Sequence, residues 1–339
     1  MSLLFSDSFD HYATADILLK YSTHSGGASQ SISAGTGRRG TASWRVSATN
    51  RSLGRTVTAG ATKIIGFSFQ CGGLPAATAT IAALMEGATD HITLRIGTGG
   101  ALIVARNTTQ LGISAAGVIG AGTTNYIELK GKVDNTTGTT EVHLNGAAVS
   151  GLTLTGQDTQ NAGTATCNNV ELRGYASQIL DYDDFYICDD SGGAPCNDFL
   201  GDVRVDWSAT DGNGAINQYA RSSGAANYEM VGDATPDGDS TYVYDSIPNR
   251  QELYTVANMA HTPLTIFGIQ AIASARKSDA GNRTHQPLVR SGTTIYPASS
   301  VNLSTAYLMY MDVRQVDPDT GVAWTQSGVN AVQVGSEVD

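Results

Sequence analysis

Residues Lys63–Gln70, KIIGFSFQ, decide the class of fold. Ile65, Phe67 and Phe69 alternate with Ile64, Gly66 and Ser68, so an extended chain carries one apolar row and one mixed row. A period of two is the signature of a strand that covers a core with one face. The same pattern returns in Asn125–Gly146, NYIELKGKVDNTTGTTEVHLNG. There Ile127 and Leu129 alternate with Tyr126, Glu128 and Lys130, a turn is predicted over Asn135–Gly138, and Glu141–Leu144 run back. Asn145-Gly146 then marks a second tight turn. His91–Gly97, HITLRIG, alternates Ile92, Leu94 and Ile96 with His91, Thr93 and Arg95, and passes through TGG into ALIVARN. Strands that follow one another through tight turns pair antiparallel.

Outward from these hairpins the composition agrees. There are 39 glycines in 339 residues, 15% of residues are charged and 41% are hydrophobic. Gly, Asn and Ser serve turns, Thr, Val and Ile serve pleated surfaces, and the apolar share is enough for a packed core. NVELRG and DYDDFYICDD give two more strands. Ala76–Gly87 has a short helix as one reading and a strand carrying Ile81, Leu84 and Met85 as the other; the antiparallel neighbours favour strand or irregular structure. The Gly-, Asp- and Pro-rich run DDSGGAPCNDFLGD ends the first pattern, which sets a domain boundary between residues 195 and 196. Beyond it a polar, loop-like stretch precedes QELYTVA, TIFGIQAIASARKSD, THQPLVRSGTTIYP and STAYLMYMDVRQVD. TIFGIQAIASARK reads as a strand of about a dozen residues. A turn is expected over Asp317–Gly321, and Thr325 is placed to cap one or two helical turns. No fixed-period repeat occurs, which argues against propellers and solenoids. The expected fold class is all-β: two antiparallel, jelly-roll-like sandwich domains, 1–195 and 196–339.

The formal net charge of −11 makes nucleic acid a poor partner, because binding phosphates needs a basic surface. No run of 18 apolar residues exists to span a membrane. The opening MSLLFSDSFDHY lacks the basic and apolar regions of a signal peptide, so synthesis in a cytoplasm is expected. Of the cysteines Cys71, Cys167, Cys188 and Cys196, the last two frame a loop that a disulfide could close; reduced thiols are the expectation in a cytoplasmic product.

The densest chemical feature is Asp181, Asp183 and Asp184, followed by Asp189 and Asp190. Carboxylates at this spacing suit Ca²⁺, or a pair flanking a glycosidic bond. The favoured alternative is a solvated strand and loop whose acids hydrogen-bond turns, with Asp181 and Asp183 on one face and Asp184 on the other. No other cofactor is indicated. None of the six histidines falls in an HExxH pattern; GxSxG is absent, and GTGG at 97–100 lacks the GK[ST] of a phosphate loop. His91 and His143 fall on polar strand faces and are expected to be exposed. Sequons at Asn107, Asn135 and Asn302 carry little weight in a Thr-rich chain. Trp44, Trp207, Trp324 and fourteen tyrosines are core residues by default, with sugar stacking the functional alternative for any that are exposed.

Several stretches, in order, resemble virion proteins of tailed bacteriophages. LLFSDSFDHYATADILLKY, GRRGTASWRV, HITLRIGTGGALIVARN, TTNYIELKGKVDNTTGTTEVHLNG and ILDYDDFYICDDSG look like their concanavalin A-like (laminin G-like) domain. NDFLGDVRV, ARKSDAGNRTHQPLVRSGTTIY and DPDTGVAWTQSGVNAVQVGSEV look like the module that follows it. The resemblance implies a non-enzymatic structural protein of the virion, of tail-fibre or minor-tail type, tail- or baseplate-associated. Its partners would be other virion proteins and copies of itself, a trimer if fibre-like, with host surface glycan as an outward contact. A capsid decoration or head-fibre protein bound to the capsid shell is the second expectation, and a glycan-processing enzyme the third. The resemblance transfers no sugar-binding residue to this sequence.

Overall fold

The computed structural model describes residues 2–161, 163–176 and 178–338. The chain divides into two units, Met1–Val205 and Asp206–Asp339. The division lies ten residues beyond the boundary expected at 195/196. The reason is that residues 196–205, though rich in turn-forming types, bond back onto the first unit.

The strands of the first unit are β1 (Leu3–Asp7), β2 (Thr23–His24), β3 (Gln30–Ser33), β4 (Ser43–Val46), β5 (Ser52–Gly60), β6 (Thr62–Cys71), β7 (Ala79–Glu86) and β8 (Thr89–Ile96). They continue as β9 (Leu102–Arg106), β10 (Thr109–Ile113), β11 (Asn125–Lys132), β12 (Gly138–Leu144), β13 (Ala147–Ala148), β14 (Leu154–Gln157), β15 (Cys167–Arg173) and β16 (Leu180–Cys188). Two antiparallel sheets result. One runs β13-β12-β11-β6-β16-β4-β3, with β1 on β16 and β14 on β12; the other runs β10-β9-β8-β7-β15-β5-β2. Ala76–Gly87 is thus resolved in favour of a strand, β7.

The register follows the apolar alternation. Phe67 lies opposite Ile127 and Ile65 opposite Leu129, while Phe69 and Trp44 flank Tyr182. These side chains form the inner row of the nine-stranded sheet and are fully buried. The facing sheet supplies Leu84, Ile92, Leu94, Val170 and Leu172. Gly131 of the nine-stranded sheet lets the facing layer approach closely: a Cβ there would stand 2.7 Å from Ile92 and 2.8 Å from Leu84. The buried Tyr182 hydroxyl ties the layers polarly, donating to the carbonyls of Ile81 (3.2 Å) and Arg173 (2.7 Å). The first unit is a β-sandwich.

The second unit contains β17 (Thr210–Asn217), β18 (Ala220–Arg221), β19 (Val243–Tyr244), β20 (Gln251–Val256), β21 (Ile269–Ala275), β22 (Thr284–Ser291), β23 (Thr294–Pro297), β24 (Val301–Asn302), β25 (Leu308–Arg314) and β26 (Gln333–Val338). A six-stranded antiparallel sheet runs β17-β20-β26-β22-β23, with β24 on β22; β21 and β25 form a separate ribbon. Ile269 and Ala271 of the ribbon pack on Val289, Trp324 and Val332. The strand expected to run about a dozen residues covers seven, Ile269–Ala275, because Ile266 leaves the ribbon to bridge Trp324. Thr325 caps the helix Gln326–Ala331, its hydroxyl accepting from the Gly328 amide at 3.0 Å.

Candidate functional site

Strand β16 changes partner along one edge. Leu180–Tyr182 pair with β4, and Phe185–Cys188 pair with β1. Between the two partners the pairing with β6 slips, and Asp184 takes φ 48°. A non-glycine residue in the left-handed region marks a bulge that opens backbone groups and re-aims side chains. The acidic cluster sits at this break, and its carboxylates satisfy the donors collected there.

Asp181 faces β4, where Arg45 donates to both its oxygens at 2.8 and 2.9 Å and Ser43 adds a hydroxyl at 2.8 Å. Asp183 turns to the loop at 37–42. Its Oδ2 accepts from the Arg38 amide (2.8 Å) and the Thr41 hydroxyl (3.1 Å), and its Oδ1 from the Asp184 amide (2.7 Å). Asp184 accepts from Arg39 (2.9 Å) and from the Val205 amide (2.7 Å), with Arg38 at 3.6 Å. Burial, reinforced by the neighbouring Asp184 carboxylate, pushes Asp183 up to about 7. Burial also raises Asp184, against the pull of the Val205 amide and the Arg39 and Arg38 guanidiniums. The expected Ca²⁺ ligands are therefore close in sequence but engaged by different donor sets. Among the described residues no group of three or more His, Cys, Asp or Glu side chains is arranged to hold a metal ion. The cleft at Asp183 and Asp184, bordered by Arg39 and Arg204, has no room for a water molecule. A wider concavity of about 430 Å³ opens beside it, bordered by Thr36, Arg45, Gln70, Ile179 and Asp181.

Sequence reading missed a strap. Residues 196–205 cross the outer face of the nine-stranded sheet, where Tyr126, Glu128, Tyr186 and Cys188 are buried rather than solvated. Glu128 Oε1 accepts from the Tyr186 hydroxyl (2.6 Å) and the Gly201 amide (2.9 Å), and the Leu200 amide donates to Tyr186 at 3.2 Å. Burial raises Glu128 above the ordinary carboxyl range. Phe199 stacks on His143 at 4.0 Å, and Lys130 reaches Asp198 at 3.0 Å. Arg38 lies over the Tyr126 ring and pairs with Asp202. The signal for this was Phe199-Leu200, an apolar pair three residues after Cys196 inside a polar run.

A second missed cluster lies at the start of the chain. Asp7 accepts from the Phe9 amide (3.0 Å), the Tyr12 hydroxyl (2.5 Å), Lys20 Nζ (2.8 Å) and the Tyr21 hydroxyl (2.7 Å). Burial alone would raise this carboxyl, but Lys20 and the hydroxyl donors outweigh it and hold Asp7 below its ordinary value. His11 stands 3.1 Å from Lys20, and burial together with that ammonium lowers it to about 3. The expectation of exposed histidines also needs correction. His91 is fully buried, its Nδ1 accepting from the Asn161 amide at 3.0 Å, because residues near 161 cover that strand's outer face; His143 is half-buried under Phe199.

No family model and no curated protein matches this chain. Solved structures match in part. Trypanosoma rangeli sialidase is 9% identical over 43% of this chain and 25% of its own, with a TM-score of 0.33. The alginate lyase from Corynebacterium sp. is 12% identical over 43% of this chain and 75% of its own, with a TM-score of 0.31. The GH43 protein BlXynB from Bacillus licheniformis is 12% identical over 44% of this chain and 34% of its own, with a TM-score of 0.33. The chain spans a quarter of the sialidase it matches, and likenesses this weak carry no activity to it.

Proposed function

We propose that this chain is a structural protein of a tailed-phage virion, tail- or baseplate-associated, that acts by assembling with copies of itself and with other virion proteins. The order of phage-like sequence stretches supports the virion setting. The observation that carries the assembly role is the uneven burial of the two units. Of eleven exposed large hydrophobic residues among the described residues, eight lie in the second unit: Val231, Tyr242, Tyr244, Ile247, Leu264, Leu308, Val316 and Val322. Strand β26 is half-buried along its whole length, and β21 has no fully buried residue. Apolar surface left open in this way suits a chain whose second unit is completed by neighbours.

The acidic cluster supports the same reading. A glycosidase needs one carboxyl free to protonate the leaving group and another free to attack or to activate water. Here Asp183 and Asp184 use both oxygens in closing the break in the sheet. Light scattering on the purified chain tests the proposal, with a trimer as the expected mass and a strict monomer as the contrary result. An accompanying assay on host surface polysaccharides is expected to give no cleavage. Cleavage that disappears in Asp183→Asn or Asp184→Asn would replace the proposal with an enzyme.

A further inference from the structure

We propose that Cys188 and Cys196 form a modification site, a cystine that fastens the strap 196–205 across the outer face of the nine-stranded sheet. Cys188 is the last residue of β16 and is fully buried. Cys196 is also fully buried, and it is the one residue between 190 and 205 that is. The two sulfurs are in hydrogen-bond contact. The other cysteines are engaged elsewhere: the Cys71 thiol faces the Gly120 carbonyl at 3.9 Å, and the Cys167 thiol faces the Asn169 carbonyl at 3.3 Å. All four are thiols in this structure.

The strap needs such a fastening. It has no regular secondary structure, and its grip on the sheet is made through side chains, among them bonds to Glu128, Tyr186 and Asp184, the stack of Phe199 on His143 and the ion pairs of Asp198 and Asp202, rather than through strand pairing. Segments held this way open locally far more often than a strand does. Opening lifts Cys196 away from the sheet and exposes it, while Cys188 stays in its strand. The same opening sets the order of attack: Cys196 is the sulfur that a lifted strap exposes, so it meets a dissolved oxidant first, while Cys188 at the end of its strand stays buried.

The oxidant is a low-molecular-weight disulfide. The Cys196 thiolate attacks one of its sulfurs, forms a mixed disulfide and expels one thiolate. As the strap closes, the Cys188 sulfur attacks Cys196 and expels the second. One S–S bond forms in the protein and one breaks in the oxidant, whose two thiols carry away two electrons and both protons.

The test incubates the whole reduced chain with oxidised glutathione, blocks the remaining thiols with iodoacetamide, and reads intact mass and peptide map. The expected product has two alkylated cysteines, Cys71 and Cys167, and one cross-link joining the peptides of Cys188 and Cys196. Its melting temperature is expected to rise by about 5 °C, reversibly with dithiothreitol, as for a disulfide closing a short loop. Cys196→Ser should show neither cross-link nor rise; if that variant fails to fold, the wild-type map still decides. Four alkylated cysteines, a stable glutathione adduct on either residue, a cross-link through Cys71 or Cys167, or a cystine with no change in melting would each overturn the proposal.

Discussion

At the residue scale, the most demanding groups are charges placed where water does not reach. Asp7 and Lys20 have fully buried side chains 2.8 Å apart. Removing one partner of such a pair leaves the other as an uncompensated charge, a loss of about 3–5 kcal/mol. Lys20→Met is therefore expected to lower urea-unfolding stability by that amount, and a loss below about 1 kcal/mol would show that the network is not a structural anchor. Asp183 behaves in the opposite sense. Burial raises it to about 7 in the folded chain, above the ordinary carboxyl value. The folded state then holds a proton that the unfolded state has already released. The stability this contributes is complete below the ordinary carboxyl range and is lost as pH rises through about 7. Carboxyl carbon NMR should show Asp183 titrating near 7, and a midpoint below about 5 would contradict the account. Neither group was legible as such in the sequence. Asp183 stands out because acids cluster around it, a pattern that suits Ca²⁺ ligands, a glycosidase pair or a solvated strand and loop alike. What decides its behaviour is the loop at 37–42, about 140 positions earlier in the chain.

At the element scale, hairpins carried most of the legible information. The alternation in Lys63–Gln70 identifies which side of β6 faces the core, because side-chain direction in a strand is fixed by a period of two. The same rule misplaced the other side. Tyr126, Glu128 and His143 alternate as an outer, polar row, and periodicity alone cannot say whether a later segment covers that row. Here the strap does, so a face read as solvated is interior. The Tyr182 hydroxyl is a polar tie between the layers of the sandwich. Tyr182→Phe removes two hydroxyl contacts across the core and leaves the Ile81 and Arg173 carbonyls without this donor. A loss of about 1–2 kcal/mol in chemical unfolding is expected. No measurable loss would mean that this tie contributes nothing to joining the layers. Gly131→Val tests the packing directly, since any Cβ there meets Ile92 and Leu84. It should cost at least about 1–3 kcal/mol, the usual penalty of overpacking, and an unchanged midpoint would place slack where the structure has none.

At the scale of the whole molecule, the two units differ in kind. The first has a large sandwich core, and its acids and its strap both serve to close the fold. The second places fewer side chains fully inside and leaves most of the large apolar exposure. Composition foretold β structure in both, but it could not foretell this inequality, which depends on how many strands share each core. Polar substitution of Leu264 and Val322, both strongly exposed, is expected to leave the melting of the isolated chain within about 0.5 kcal/mol of wild type while weakening self-association in sedimentation. Unchanged association would move the contact elsewhere on the unit. The central claim is that this chain is built into a particle rather than turned to catalysis. A reconstruction of the intact phage particle tests it most directly. The account predicts density for both units on the tail or baseplate, with the apolar residues of the second unit against neighbouring chains; purified particles that lack the chain altogether would contradict it.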